Sequence, residues 1–155
     1  MPKTAIMLGG NLPGTPEAMD NALNELEKNG FKVEKVSEIF HSEALDCVPG
    51  TPDFVDQAII GKWEKSPQEL LELCQKIEIA AGRPRIHSSR ESRILDLDII
   101  TFGDQEVASE NLIIPHPRAA QREFVLAPLS QIAPELKFPD GRSVIELYRE
   151  LMDNC

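Results

Sequence analysis

Hydrophobic periodicity along this chain switches between a period of two and a period near 3.6, and the order of the switches constrains the fold more than any other feature. Residues 4–9, TAIMLG, read as a short buried strand that ends in the sharp turn Gly9-Gly10-Asn11. From Thr15 to Lys28 apolar residues recur at Ala18, Ala22, Leu23 and Leu26, a helical stripe begun by Thr15-Pro16 and closed by Asn29-Gly30. FKVEKVSEIF at 31–40 alternates as a strand, and DFVDQAIIGKWE at 53–64 makes a second one after a loop rich in proline and glycine. Ser66-Pro67 starts a helix through Ala81, with Leu70, Leu73, Cys74 and Ile77 inward and Gly82 closing it. A strand at 94–102 follows, then short pieces at 105–107 and 111–114, a helical run at 123–133 and an amphipathic helix at 143–152. The order β-α-β-β-α-β predicts an α+β fold, a ferredoxin-like sandwich with helices on a mainly antiparallel sheet and additions at the C-terminus.

With 155 residues the chain is expected to form a single domain, 1–155, with a core that needs no staples. Cys47, Cys74 and Cys155 are too few and too far apart for a disulfide framework or a zinc spacing, which suits a reducing cytosol. The apolar run at the start is too short for a secretory signal or a membrane span, so a soluble, cytoplasmic protein is expected. A net charge of −10 argues against nucleic-acid and acidic-membrane partners. Yet six of the eight arginines fall between Arg83 and Arg122, and none precedes Arg83. Arginine grips phosphate or carboxylate with a planar fork, so this clustering points to a local site for a small polyanion.

That cluster adjoins the strand SRILDLDIITFG at 92–103. Leu95, Leu97 and Ile99 share one face, while the other begins with Asp96 and Asp98 and turns apolar only at Ile100. Two carboxylates on one face, with Cα atoms ~6–7 Å apart, repel each other unless a cation joins them. Oxygen ligands without His or Cys favour Mg²⁺, which leaves positions open for phosphate oxygens. The plainer reading is a wet sheet face, with Asp96 paired to Arg93. Upstream, Arg83, Arg85, Arg90 and Arg93 surround His87 in an irregular segment that is either a solvated charge run or a cover for a nucleotide. A second basic loop, IPHPRAAQR, offers His116, Arg118 and Arg122.

GGN after the first strand, QKIEIAAGRPR, SRILDLDIITFG, IPHPR with REFVLAPLSQIAPEL, and FPDG together resemble the 6-hydroxymethyl-7,8-dihydropterin pyrophosphokinase family over about residues 4 to 150. The resemblance implies a ferredoxin-like α/β/α sandwich and an enzyme that moves pyrophosphate from ATP to a pterin alcohol in folate biosynthesis. It implies that Asp96 and Asp98 hold two Mg²⁺ ions, and that Arg83 and Arg93 steady the transferred group. Gln75, Glu78, Arg85, His116 and Arg122 match positions around ATP. Phe54 and Phe124 match an aromatic pair that sandwiches the pterin, with Leu45 in the loop beside it. No covalent intermediate is implied, and other folate-pathway enzymes are possible partners.

The chain departs from the family at several of these places. Gly9-Gly10-Asn11 stands for the usual G-S-N, SEALD at 42–46 for T-P-P-L-G, and Arg90-Glu91-Ser92 for aromatic-Gly-Pro. Ser89 stands where an arginine is common, and Asp56 replaces the usual pterin-contacting asparagine. Asp56 is expected to become the main polar anchor of the ring, because an aspartate accepts where an asparagine also donates. Residues 83–93 are expected to act as a lid over the nucleotide. Two other readings stay open: a non-catalytic relative that binds pterin or nucleotide, and a ferredoxin-like interaction module.

Overall fold

The computed structural model describes residues 3–42, 53–82 and 94–154. Seven strands and four helices follow one another as β1 (Lys3–Gly10), α1 (Thr15–Lys28), β2 (Lys32–Val36), β3 (Phe40–Ser42), β4 (Phe54–Lys62), α2 (Pro67–Ala80), β5 (Asp96–Phe102), β6 (Val107–Ala108), β7 (Ile113–Ile114), α3 (Glu123–Ile132) and α4 (Val144–Asp153). The main sheet runs β2-β4-β1-β5, with β3 also on β4, and every pairing in it is antiparallel. Since β4 lies between β1 and β2 and opposes both, β1-α1-β2 is a split parallel unit, as the ferredoxin-like reading requires. Strands β6 and β7 form a separate small hairpin.

The sheet is covered on both faces. Ile6, Leu8, Ile59, Leu97, Ile99 and Phe102 face α1 and α2, joined by Met19, Leu26, Leu70 and Cys74. Ala5, Met7, Ala58, Ile60 and Ile100 point the other way and pack with Val125, Leu126, Leu129, Val144 and Leu147 of α3 and α4. Strict alternation would put Phe102 with Ile100, but the β1–β5 register shifts between Ala5 and Ile6, where Ile6 opposes Ile99 and Ala5 opposes Thr101. Residue 100 is therefore an extra one, a bulge that lets Phe102 turn back into the first core.

One expected strand is two. Residues 31–40 leave the ladder after Val36 and rejoin it at Phe40, because Ser37 takes over the pairing with Ala58: its N–H donates to Ala58 O (2.9 Å) and its hydroxyl accepts from Ala58 N (2.9 Å). Three residues, 37–39, then span a gap faced by only 57 and 58, and β3 continues along β4 toward Phe54. This extends the sheet at the end where the acidic residues lie.

Two helices carry reciprocal caps. Ser66 with Glu69 and Ser143 with Glu146 each exchange side-chain and backbone bonds across the first turn. α4 docks its Val144 and Leu147 into the second core, so its first turn is held from both directions. Ser143→Ala is expected to lower stability by about 1 kcal/mol, the usual cost of losing such a cap, measurable by urea unfolding. No change would mean that packing alone sets the start of α4.

Candidate active site

On the face covered by α3 and α4, each central strand runs from apolar to polar along its length. β1 passes from Ala5 and Met7 to Gly9, β4 from Ile60 and Ala58 to Asp56 and Phe54, and β5 from Ile100 to Asp98 and Asp96. The register aligns these endings: Gly9 opposes Asp56 on one side and Asp96 on the other, and Met7 opposes Asp98. With neighbouring strands just under 5 Å apart, Asp56 and Asp96 sit roughly 10 Å from each other across Gly9. Glycine is needed there. A Cβ on Gly9 would run into Asp56 Oδ1 and stand 2.9 Å from Val55 O.

Asp98 is exposed and Asp96 half-buried. The Asp98 charge reaches Asp56, His116 and Cys74, adding to the rise at Asp56 and Cys74 and opposing the lowering at His116. Asp56 is held up chiefly by burial, which brings its carboxyl to about 7, with Asp98 adding to the rise while Arg122 and a hydrogen bond from Ser42 oppose it. Its Oδ2 is buried and has no hydrogen-bond partner among the described residues. Burial also dominates at His116, lowering its pKa; Arg122 and Arg118 act in the same direction and Asp98 against it. The ring is therefore neutral near pH 7. His116 N–H donates to Ile100 O (2.9 Å), tying the loop to β5, and Nδ1 accepts from Arg118 N (3.2 Å). The ring proton must then sit on Nε2, leaving that nitrogen as a donor.

Arg122 is the residue before α3, in an extended conformation, with its guanidinium 5.3 Å from the centre of the Phe124 ring. Phe124 packs on the second core from α3, and Phe54 is half-buried at the start of β4, on the same strand face as Asp56. Glu78 approaches from α2: its Oε2 accepts from Leu97 N (2.7 Å) on the outer edge of β5. It thus fixes the residue between the two aspartates. Gln75 is exposed one turn earlier on the same helix. The start of β5 is held as well, since Thr15 Oγ1 donates to Ile94 O (2.7 Å). Leu45, Arg83, Arg85 and Arg93, and with them the expected lid at 83–93 and the Asp96–Arg93 pair, lie outside the described residues.

Sequence reasoning singles out Asp56, Asp96, Asp98, His116 and Arg122; the sheet end brings Asp56, His116 and Arg122 within reach of one another's charge and, for the first two, of Asp98, while Asp96 is placed by register opposite Gly9. It missed Ser42 as a partner of Asp56, and it read Gly9 only as a turn residue. Both follow from cross-strand register, which no local pattern encodes. The donor set suits a hard divalent cation, since both carboxylates offer only oxygen. Among the described residues no three His, Cys, Asp or Glu side chains form a closed cage. One cavity, about 590 Å³, is a groove between α1 and α2 on the opposite face, away from this chemistry. A smaller one, about 290 Å³, opens beside His116 and reaches Phe138 and Arg142.

The model of the 7,8-dihydro-6-hydroxymethylpterin-pyrophosphokinase family matches residues 5–134, a span that contains Phe54, Asp56, Gln75, Glu78, Asp96, Asp98, His116, Arg122 and Phe124. A 2-amino-4-hydroxy-6-hydroxymethyldihydropteridine pyrophosphokinase from a Synechocystis species is 36% identical over 146 residues, covering 93% of this chain and 73% of that protein. The protein of the same name from Haemophilus influenzae is 34% identical over 150 residues, covering 96% of this chain and 92% of its own. In fold, a crystal structure of Plasmodium falciparum HPPK-DHPS with pteroate superposes with a TM-score of 0.77 at 13% identity, over 99% of this chain and 43% of that one. The match to the family model across the acidic sheet end, together with relatives above 30% identity along nearly the whole chain, places this protein in the 7,8-dihydro-6-hydroxymethylpterin-pyrophosphokinase family.

Proposed function

We propose that the chain transfers a pyrophosphoryl group from ATP to the hydroxymethyl oxygen of 6-hydroxymethyl-7,8-dihydropterin, yielding AMP and the pterin diphosphate for folate synthesis. It is an ATP-dependent diphosphotransferase that requires Mg²⁺. The observation that supports this reading best is the polar end of the α3/α4 face, where Asp98, Asp56, His116 and Arg122 act on one another's charge within the family match.

Asp96 and Asp98 would hold the cation, and two ions would fit if the triphosphate supplies the remaining oxygens. Held by these carboxylates, Mg²⁺ would supply positive charge against the phosphate oxygens. The chain's own groups align the reaction. Glu78 keeps β5 in place through Leu97, and Gln75, exposed on the same helix, would face the nucleotide. His116 donates from Nε2 to a phosphate oxygen while staying neutral, and Arg122 supplies positive charge between the phosphates and the ring site. Arg83, Arg85 and Arg93 would complete the cover over the triphosphate. Phe54 and Phe124 would stack on the two sides of the pterin, with Asp56 at its polar edge and Leu45 on the wall. Alignment and charge neutralisation suffice for such a transfer, so no enzyme nucleophile is needed.

Among the described residues no helix is long and apolar enough to cross a membrane, which accords with the cytoplasmic placement proposed for the chain. The Plasmodium falciparum protein joins HPPK and DHPS in one chain, which supports a second folate enzyme as the partner to look for. The test is product identity. With Mg²⁺, ATP and the pterin alcohol, AMP should appear in step with pterin diphosphate, and EDTA should abolish both. Formation of ADP in place of AMP would overturn the pyrophosphoryl assignment, and ATP binding without turnover would leave a non-catalytic relative.

A further inference from the structure

We infer that Thr15 is a positioning residue for the cation site: its hydroxyl fixes the carbonyl that precedes β5 and, through it, the carboxylate of Asp96, the first residue of that strand. The inference rests on the reading of Asp96 as a cation ligand, and it deepens that reading by naming what holds the ligand still.

The two aspartates of β5 are supported differently. Asp98 lies inside the ladder with β1, opposite Met7, with paired residues on either side of it. Asp96 opens the strand and pairs at the last rung, opposite Gly9. A strand end frays unless something beyond the ladder holds it. Two ties outside the ladder do so here. Leu97 N donates to Glu78 Oε2 (2.7 Å) on one side of Asp96. On the other side, Ile94 O accepts from Thr15 Oγ1 (2.7 Å), a contact across 79 positions of sequence. Asp96 therefore stands between two anchored peptide groups.

Thr15 is well placed to be the anchor. It is the first residue of α1 and is fully buried. Its N–H donates to Leu12 O (3.0 Å), and its hydroxyl accepts from Leu12 N (3.2 Å). The hydroxyl has one proton to give, and it goes to Ile94. Gly14 adds a steric seat, since a Cβ there would stand 2.9 Å from Ile94 Cδ1. The helix behind this turn is itself fixed, with Met19 and Leu26 in the first core. The chain from Gly9 to Thr15 thus meets β5 twice, through the ladder at Asp96 and through the hydroxyl at Ile94. Mg²⁺ demands near-ideal octahedral geometry, so a ligand at a strand end serves it only if that end is held.

Thr15→Val keeps the shape and removes the hydroxyl, whereas Thr15→Ser keeps the hydroxyl and removes the methyl. At saturating ATP and pterin, the Mg²⁺ concentration for half-maximal AMP formation is expected to rise about 5- to 10-fold in Thr15→Val, the equivalent of one lost hydrogen bond, and to return within about 2-fold of wild type in Thr15→Ser. Mn²⁺ titrated calorimetrically into protein saturated with a non-hydrolysable ATP analogue should weaken by a similar factor, without any turnover. In an Asp96→Asn background the effect of Thr15→Val on Mg²⁺ dependence should vanish, because the ligand it positions is gone. Should Thr15→Val not fold, Gly14→Val crowds Ile94 from the same turn and is expected to raise the half-saturating Mg²⁺ by at least about 3-fold. Unchanged Mg²⁺ dependence in the variant that folds, a serine that fails like the valine, or an undiminished effect in the Asp96→Asn background overturns the inference and leaves Asp96 as a ligand. If Asp96→Asn alone leaves Mg²⁺ dependence and turnover at wild-type values, the ligand assignment and the inference fall together.

Discussion

With Asp98 replaced by asparagine, AMP formation at saturating Mg²⁺ is expected to fall by about 10²- to 10⁴-fold, the rate equivalent of the several kcal/mol a positioned cation contributes to a phosphoryl transition state. The fold should not change. Asp98 is exposed at the end of β5, and a neutral isostere there removes charge without opening a cavity. Asp96→Asn should behave alike in turnover. The two differ in a way that checks the site's electrostatics. Among the described residues, Asp98 is the shared charge that acts upward on the pKa of both Asp56 and His116, so Asp98→Asn should bring the Asp56 carboxyl down from about 7 and the His116 ring lower still. Carboxylate and imidazole titrations followed by NMR would register both shifts in metal-free protein. Near-wild-type turnover in both variants would mean that the cation is held elsewhere.

How far the sequence alone reached can be seen strand by strand. Helix α1 was legible to its ends, because Pro16 near its start and Asn29-Gly30 after it are local signals. The split at residues 37–39 was not legible, since Ser37 leaves the ladder through bonds to Ala58, a residue far along the chain. The bulge at Ile100 was hidden for the same reason: alternation through 99–102 breaks only against the register of β1. At the candidate site, residue types could be read and their neighbours could not. Asp96 and Asp98 announced themselves as carboxylates on an otherwise apolar strand. Nothing local said that Gly9 separates Asp96 from Asp56, or that Glu78 on α2 caps the N–H between the two aspartates of β5. Long-range pairing decides these contacts, and a window of ten residues holds no record of it.

The same long-range pairing gives Asp56 an unusual effect on stability. Its carboxyl lies near 3.8 when unfolded and at about 7 when folded, raised first by burial and then by Asp98. Between those values the folded protein holds a proton that the unfolded chain has released. Stability contributed by this group is therefore present below about pH 4 and is lost as pH rises toward 7. Asp56→Asn removes the titrating group, so the difference in stability between variant and wild type should climb with pH. At pH 4 the variant should be equal or slightly weaker, because its amide leaves one buried polar atom without a partner. Full linkage over a shift of this size would give about 4 kcal/mol, and relaxation around a partly buried group brings the expected gain at pH 8 to about 1–3 kcal/mol. Urea unfolding of both proteins at half-unit steps from pH 4 to 8, in EDTA, would trace the curve. The difference should climb through pH 7 and begin to level off about one unit higher, where wild-type Asp56 is largely ionised in both states. A difference that stays flat from pH 4 to 8 would show that water reaches this carboxylate in the folded protein, and the acceptor pocket would then have to be sought away from β4.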